Sequence, residues 1–124
     1  LMSAHWPTEL KLAKDKRSLT VTFENGSSFI LPAEYLRVES PSAEVRGHSP
    51  SQKKTVSGKR HVGIIAVTPV GHYAVKLSFD DMHDTGIYGW NALYALGEAY
   101  DEKWQAYCDD LAAKGLNRDV VARR

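Results

Sequence analysis

The sequence predicts an α+β domain, with a small antiparallel sheet in two layers and C-terminal helices packed on one face. In the first two thirds of the chain, short segments alternate hydrophobic and polar residues with the period of half-buried strands. After Trp90 the period becomes helical. Strands followed by helices are typical of α+β proteins. A length of 124 residues indicates one domain, with a core at about 6–97 and a helix at 98–115.

The first strands are predicted at residues 9–13, 19–23 and 29–31. In the second of these, leucine, valine and phenylalanine alternate with threonine, so the apolar residues are expected to face inward. Asn25-Gly26 lies between the second and third strands, and this dipeptide is a strong hairpin signal. Pro32 then opens a single helical turn, because its missing N–H costs nothing at the first helical position.

The second group of strands is predicted at residues 61–67, 73–79 and 84–88. A turn is expected at Pro69-Val70-Gly71, and another at residues 80–83. Alternation in the middle strand predicts four inward-facing residues: Tyr73, Val75, Leu77 and Phe79.

Two helices are predicted after Trp90. The first, at residues 91–96, is expected to end at Gly97 as its C-terminal cap. The second, at 98–114, carries an apolar stripe that should bury Trp104 and Leu111 against the sheet or a second copy. Residues 116–124 are expected to form a frayed basic tail.

Residues 39–59 have no hydrophobic periodicity and are rich in serine, proline and glycine. An irregular segment of this length within a compact domain is usually functional or mobile. The sequence therefore predicts a long loop, with residues 46–59 as the most mobile interior segment.

Composition excludes several classes of protein. A formal net charge of +1 provides no global attraction to nucleic acid or membranes, and the single cysteine, Cys108, excludes an internal disulfide. No apolar run has the length of a membrane-spanning helix, and no signal peptide is visible, so we expect a cytoplasmic protein with no membrane partner.

Several blocks follow one another in a recognisable order: Pro7-Thr8-Glu9-Leu10, Leu31-Pro32-Ala33-Glu34-Tyr35-Leu36-Arg37, Pro41-Ser42-Ala43-Glu44-Val45-Arg46-Gly47-His48, Pro69-Val70-Gly71-His72-Tyr73-Ala74-Val75 and His83-Asp84-Thr85-Gly86-Ile87-Tyr88-Gly89-Trp90. Over about residues 6–97 they resemble the small bacterial proteins of the DUF971 family. The same module is similar to the N-terminal domain of gamma-butyrobetaine hydroxylase and trimethyllysine hydroxylase. It also resembles a domain appended to some P-loop carriers of iron–sulfur clusters.

In those hydroxylases the module carries a structural zinc, held by three thiolates and one histidine. The resemblance places the thiolate positions on Ser40, Ser42 and Val45, and the histidine on His83. Structural zinc usually requires four thiolate or imidazole ligands. The resemblance therefore implies a degenerate zinc site, and we expect no metal and no other cofactor.

His83 has two interpretations. In the structural one, its ring bonds a backbone carbonyl and holds the turn at residues 80–84. In the functional one, it is a binding-surface imidazole whose protonated form is favoured by Asp81 and Asp84. An enzymatic or small-molecule site at this turn remains an alternative, although only Thr85 offers a hydroxyl within two residues.

Charge is segregated along the chain, with basic residues at 46–61 and acidic ones at 79–110. The favoured interpretation is two solvated surfaces. A basic loop that docks on an acidic partner or on nucleic acid is an alternative, but no aromatic residue is interleaved with these cations, so nucleic acid is disfavoured.

We therefore predict a non-catalytic accessory or protein-interaction module, linked by resemblance to iron–sulfur cluster assembly. Its partner is expected to be another protein, and a homodimer is left open. Trp and Tyr dominate interface hot spots. The expected interaction surface consists of Arg37, Arg46, His48, Asp81, His83, Asp84, Tyr88 and Trp90.

Overall fold

The computed structural model describes residues 5–42, 55–84 and 86–119. Within them, six strands form two three-stranded antiparallel sheets. The first sheet contains β1 (Pro7–Leu12), β2 (Ser18–Phe23) and β3 (Ser28–Pro32), and it is followed by helix α1 (Ala33–Val38). The second contains β4 (Ile64–Val70), β5 (Ala74–Phe79) and β6 (Gly86–Gly89). Helices α2 (Trp90–Glu98) and α3 (Tyr100–Ala113) end the fold, and the predicted α+β class is confirmed.

The first sheet follows the alternation of its central strand. Leu19, Val21 and Phe23 of β2 are buried, while Thr20 and Thr22 between them are half-buried on the other face. The predicted hairpin between β2 and β3 is confirmed by their antiparallel pairing. The inward residues of both sheets meet in one core, which also contains Tyr35 and Leu36 of α1 and Leu93 of α2.

Two predictions for the second sheet are wrong. Pro69 lies inside β4, where a turn was predicted, because β4 is an edge strand and an edge tolerates a residue that lacks an N–H group. Tyr73 was predicted to face the core, but it precedes β5 in the turn and is 64% exposed. The other inward predictions, Val75, Leu77 and Phe79, are confirmed.

Gly97 lies inside α2, so its predicted role as the C-terminal cap is wrong. The position is glycine because the ring of Phe29 in β3 occupies the space of a side chain. A Cβ at Gly97 would lie 2.3 Å from Phe29 Cγ, far inside van der Waals contact. Close approach of helix and sheet explains this glycine, and helix termination does not.

We expect Gly97→Ala to lower the free energy of unfolding by about 1–3 kcal/mol, the usual cost of overpacking. The direction is opposite to that of an ordinary glycine-to-alanine change in a helix. Urea denaturation of Gly97→Ala, Phe29→Ala and the double variant measures it. The stability losses of Gly97→Ala and Phe29→Ala should be less than additive in the double variant, because Phe29→Ala removes the ring with which the new Cβ clashes. Strictly additive losses would contradict this account.

The stripe on α3 forms a second, smaller cluster. Tyr107 and Leu111 are buried with Val38 of α1, and half-buried Trp104 packs against both this cluster and the main core. Burial raises the pKa of Tyr107 to about 12, and its hydroxyl donates a hydrogen bond to the carbonyl of Val56 at 2.6 Å. Leu111 is therefore buried, as predicted, whereas Trp104 bridges two clusters at their edge.

The chain after α3 is ordered against the domain as far as Asp119, so the predicted frayed tail is wrong for residues 116–119. Arg118 Nε and Nη2 donate to the two carboxylate oxygens of buried Glu34, at 2.8 and 2.7 Å. The guanidinium also lies 5.1 Å from the centre of the Trp104 ring. The amides of Gly58 and Arg60 donate to backbone carbonyls of this segment. The rest of the predicted tail, 120–124, lies outside the described residues.

Most of the predicted loop at 39–59 also lies outside the described residues, at 43–54, and with it most of the segment 46–59. Its two ends are attached to the domain. The carbonyl of Val56 accepts the Tyr107 hydroxyl, and Lys59 forms a salt bridge with Asp81. Among the helices that the structure describes, none has the length and apolar character that a membrane span requires.

Candidate functional site

The turn after β5 is held by an ion cluster centred on Asp81. One carboxylate oxygen, Oδ2, lies 2.8 Å from Nε of Arg37 in α1 and 2.6 Å from Nζ of Lys59. Burial by itself would raise the pKa of Asp81, but hydrogen bonds from Lys59 and Arg37 outweigh it and hold the pKa below its ordinary value. The cluster joins three distant segments of the chain.

The same carboxylate shapes the turn. Asp81 Oδ1 accepts a hydrogen bond from the amide of His83 at 3.2 Å, and the amide of Phe79 donates to the carbonyl of His83 at 2.9 Å. Between them Met82 has φ +73° and is 93% exposed. The turn thus buries the polar side chain of His83 and exposes the apolar side chain of Met82, the reverse of the usual preference.

His83 is only 3% exposed, and its Nε2 lies 3.0 Å from the Ser40 hydroxyl. Ser40 Oγ also accepts the amide of Ser42 at 3.2 Å. Ser40 and His83, two of the positions on which the resemblance places zinc ligands, are thus in contact, and Ser42 is joined to Ser40 through its amide, while Val45 lies outside the described residues. Serine hydroxyls are poor substitutes for thiolates, so these residues do not fit a structural zinc ion. The described part of the chain contains no cluster of three or more potential ligands from His, Cys, Asp and Glu.

The hydroxyl of Ser40 beside the His83 imidazole has the composition of a nucleophile–base pair. The 43 positions between the two residues hide this contact from any reading of spacing, but the resemblance, which places both on one degenerate zinc site, implied it. The pair is enclosed, however. Ser40 is fully buried, and a Cβ at Gly86 would lie only 3.0 Å from its Oγ. A substrate has no path to this hydroxyl in the observed conformation, and the bond instead ties the end of α1 to the His83 turn.

The members of the expected interaction surface are placed in different environments. His83 and Tyr88 are buried, and the Tyr88 hydroxyl donates to the carbonyl of Leu36. Arg37 and Asp81 are largely covered by their ion cluster. Trp90 is half-buried and Asp84 is exposed. The remaining two, Arg46 and His48, lie outside the described residues.

Three aromatic side chains instead line an open groove where β6 meets α2. This aromatic groove, of about 260 Å³, is lined by Trp6, Tyr73 and Trp90, together with His5 and Asn91. Trp6 is 45% exposed and Tyr73 is 64% exposed. The sequence analysis predicted neither residue at a site: Tyr73 is expected to face the core there, and Trp6 is not considered. The signal that could have indicated the exposure of Tyr73 is the Gly71-His72 turn directly before it.

Hydrogen bonds hold one wall of the aromatic groove in place. Trp90 Nε1 donates to the carbonyl of His72 at 2.8 Å, and the Trp90 amide donates to the carbonyl of Tyr73 at 3.2 Å. On the other side, the amide of His5 donates to Asn91 Oδ1 at 3.0 Å, and the His5 ring stacks on Tyr94. Trp90, His5 and Asn91 are therefore fixed by the fold, and the exposed side chains of Trp6 and Tyr73 complete the groove.

The described cations of the basic segment are paired within the chain. Lys59 contacts Asp81, and Arg60 contacts Asp119. Arg17 Nη2 lies 2.9 Å from Nδ1 of His61. Part of the segregated charge seen in the sequence is thus satisfied by the acidic segment of the same molecule.

Known proteins share both the sequence pattern and the fold of this chain. A family model described as gamma-butyrobetaine hydroxylase-like, N-terminal, matches residues 10–94. A protein solved by NMR in solution is 43% identical, with a TM-score of 0.83, and the match covers 98% of this chain and 95% of that one. A second NMR structure is 44% identical, with a TM-score of 0.80, covering 98% and 94%.

A crystal structure of a protein of unknown function, of the DUF971 family from Acidithiobacillus ferrooxidans, is 40% identical. The match covers 73% of this chain and 91% of that one, with a TM-score of 0.62. No curated protein matches the chain. Because the family model spans most of the core and the DUF971 protein shares both sequence and fold, the chain belongs to the DUF971 family of gamma-butyrobetaine hydroxylase-like N-terminal domains.

Proposed function

We propose that this protein is a non-catalytic protein-interaction module that binds a partner protein through the aromatic groove. The observation that supports this most is the exposure of Trp6 and Tyr73 on either side of a recess whose Trp90 wall is held by hydrogen bonds. Large aromatic side chains normally gain stability by burial, and Trp and Tyr are enriched in interface hot spots.

The chemistry of the groove favours an extended protein segment as the ligand. The rings offer apolar walls, while the Tyr73 hydroxyl and the Trp6 indole N–H lie on exposed side chains and have no partner among the described residues. An apolar side chain of the segment would lie between the rings, and backbone carbonyls would accept from these two donors.

We further propose that this partner belongs to iron–sulfur cluster assembly. The support for this step is the resemblance to domains appended to P-loop carriers of iron–sulfur clusters. The aromatic groove itself does not favour one class of partner protein over another. An enzymatic site at His83, Asp81 and Asp84 is less well supported because His83 is enclosed. Nucleic-acid binding through residues 46–61 is less well supported because Lys59 and Arg60 are already paired.

Photo-crosslinking in the native host tests the proposal. A photoreactive residue is placed at position 92, at the rim of the groove. We expect the otherwise unchanged protein to crosslink to one partner protein. The Trp6→Ser/Tyr73→Ser variant with the same photoreactive residue should lose this crosslink. Ile30→Ser is the matched control, because Ile30 is also exposed, at 71%, and lies on β3 outside the groove.

Two results would count against the proposal. Equal capture by the wild type and the groove variant would show that the partner binds elsewhere. Loss of capture in the Ile30→Ser control would show a general effect of surface polarity. The iron–sulfur step is tested separately, by whether the captured protein binds a cluster or carries one to others.

A further inference from the structure

Strand β1 leaves one edge of the first sheet open. It pairs only with β2 in the described structure. The amide of Ala13 donates to the carbonyl of Ser18, so this residue pair is hydrogen-bonded across the two strands. Hydrogen-bonded and non-hydrogen-bonded pairs alternate in an antiparallel ladder. Lys11 therefore faces β2 with its backbone groups, while Leu10 and Leu12 direct theirs to the open edge.

The other three edges are formed by β3, which has five residues and ends in Pro32, by β4 and by β6. β4 contains Pro69, which removes one donor from that strand, and β6 has only four residues. Short strands and prolines are the usual means by which proteins prevent pairing at sheet edges. β1 itself begins with Pro7 and changes register between Pro7 and Glu9, so its regular open segment is Glu9 to Leu12, which is short but contains no proline.

The side chains of β1 are complementary to themselves. Glu9 and Lys11 are exposed on one face, and within the described residues neither forms a salt bridge. Leu10 and Leu12, on the other face, are half-buried against the core. When two copies of β1 run antiparallel with Leu10 opposite Leu10, each Glu9 lies opposite the Lys11 of the other copy. Opposite charges in directly opposed positions stabilise paired strands.

We propose that β1 is an interface between two copies of this chain. The two strands pair in antiparallel fashion about Leu10, which extends the first sheet across a two-fold axis. In this arrangement the two Leu10 residues exchange their outward backbone hydrogen bonds, and the half-buried leucines of both copies become more fully covered. A two-fold axis requires a self-complementary surface, and the Glu9–Lys11 pattern satisfies this requirement. The interface does not depend on the aromatic groove or on its partner.

Charge reversal at Glu9 or Lys11 tests whether association occurs through this interface. In the Glu9→Lys variant both positions are cationic, and in Lys11→Glu both are anionic, so each variant opposes like charges across the axis. We expect the association constant of either variant alone to fall about tenfold, because two attractive pairs become repulsive. Analytical ultracentrifugation of the full chain over a wide concentration range measures the constant.

An equimolar mixture of the two variants should recover association, because both charge pairs are then complementary in the mixed dimer. The double variant Glu9→Lys/Lys11→Glu should associate like the wild type. The control Lys76→Glu changes a charge on β5 of the second sheet and should have no effect. A monomeric wild type at all concentrations, or variants that weaken association without recovery on mixing, would overturn the proposal. Urea midpoints measured in parallel verify that every variant is folded.

Discussion

Trp104→Ala is expected to lower the free energy of unfolding by about 2–4 kcal/mol, somewhat less than the cost of removing a fully buried aromatic ring, because the side chain is half-buried. The ring joins the main core to the smaller cluster of Val38, Tyr107 and Leu111. It also packs against Tyr35 and Tyr100 and carries the Arg118 guanidinium on its face. Removing it should therefore detach both α3 and the C-terminal segment. Urea denaturation followed by tyrosine fluorescence and circular dichroism measures the effect.

Glu102→Ala, on the exposed side of the same helix, is the matched control and should change stability by less than about 0.5 kcal/mol. A second variant, Arg118→Ala, should reproduce part of the Trp104→Ala effect, because buried Glu34 loses its bidentate partner. If Trp104→Ala left stability unchanged and instead abolished self-association, Trp104 would lie at an interface between copies, contrary to this structure.

Asp81→Asn is expected to lower the free energy of unfolding by about 2–4 kcal/mol near neutral pH. The substitution leaves Arg37 and Lys59 without their shared anion in a partly buried site, and uncompensated charges there are costly. Asp84→Asn, three residues further on at an exposed position, is the matched control and should be nearly neutral.

The pH dependence of the Asp81 effect has a definite sign. Because the pKa of Asp81 in the folded protein lies below its ordinary value, the carboxylate stabilises the fold at all pH values above the unfolded pKa. This stabilisation is lost as the pH falls from about 4 through the lower folded pKa. The difference between wild type and Asp81→Asn should therefore be constant near neutrality and shrink in acid. A difference that grew on acidification would contradict the ion cluster.

Local patterns in the sequence were sufficient for most of the secondary structure. The Leu19-Val21-Phe23 alternation and the positions of Tyr107 and Leu111 on the α3 stripe report burial directly, because one face of each element must be covered. The same reasoning failed at Gly97 and Pro69, where the local signal is ambiguous. A glycine near a helix end is read as a cap, yet here it makes room for Phe29. A proline is read as a turn, yet an edge strand accommodates it.

The candidate site was predictable only in part. The sequence drew attention to His83 and its acidic neighbours, since polar residues were concentrated there. The resemblance implied that His83 lies near Ser40, but the sequence did not show that both are buried, nor that Asp81 is neutralised by Arg37 and Lys59. Charge segregation between residues 46–61 and 79–110 was a usable signal for the Lys59–Asp81 pair. No comparable signal pointed to Arg118, whose partner Glu34 lies 84 positions away.

The sequence by itself determined the α+β class, the order of strands and helices, and the family, because these depend on local periodicity and on blocks of residues in a fixed order. Only the tertiary structure decided which polar residues are covered and which aromatic ones are exposed. His83 is enclosed, while Trp6 and Tyr73 face solvent across the aromatic groove. The physical reason is that exposure is set by segments far apart in the chain, such as residues 5–6 beside 73 and 90, and these contacts leave no local pattern.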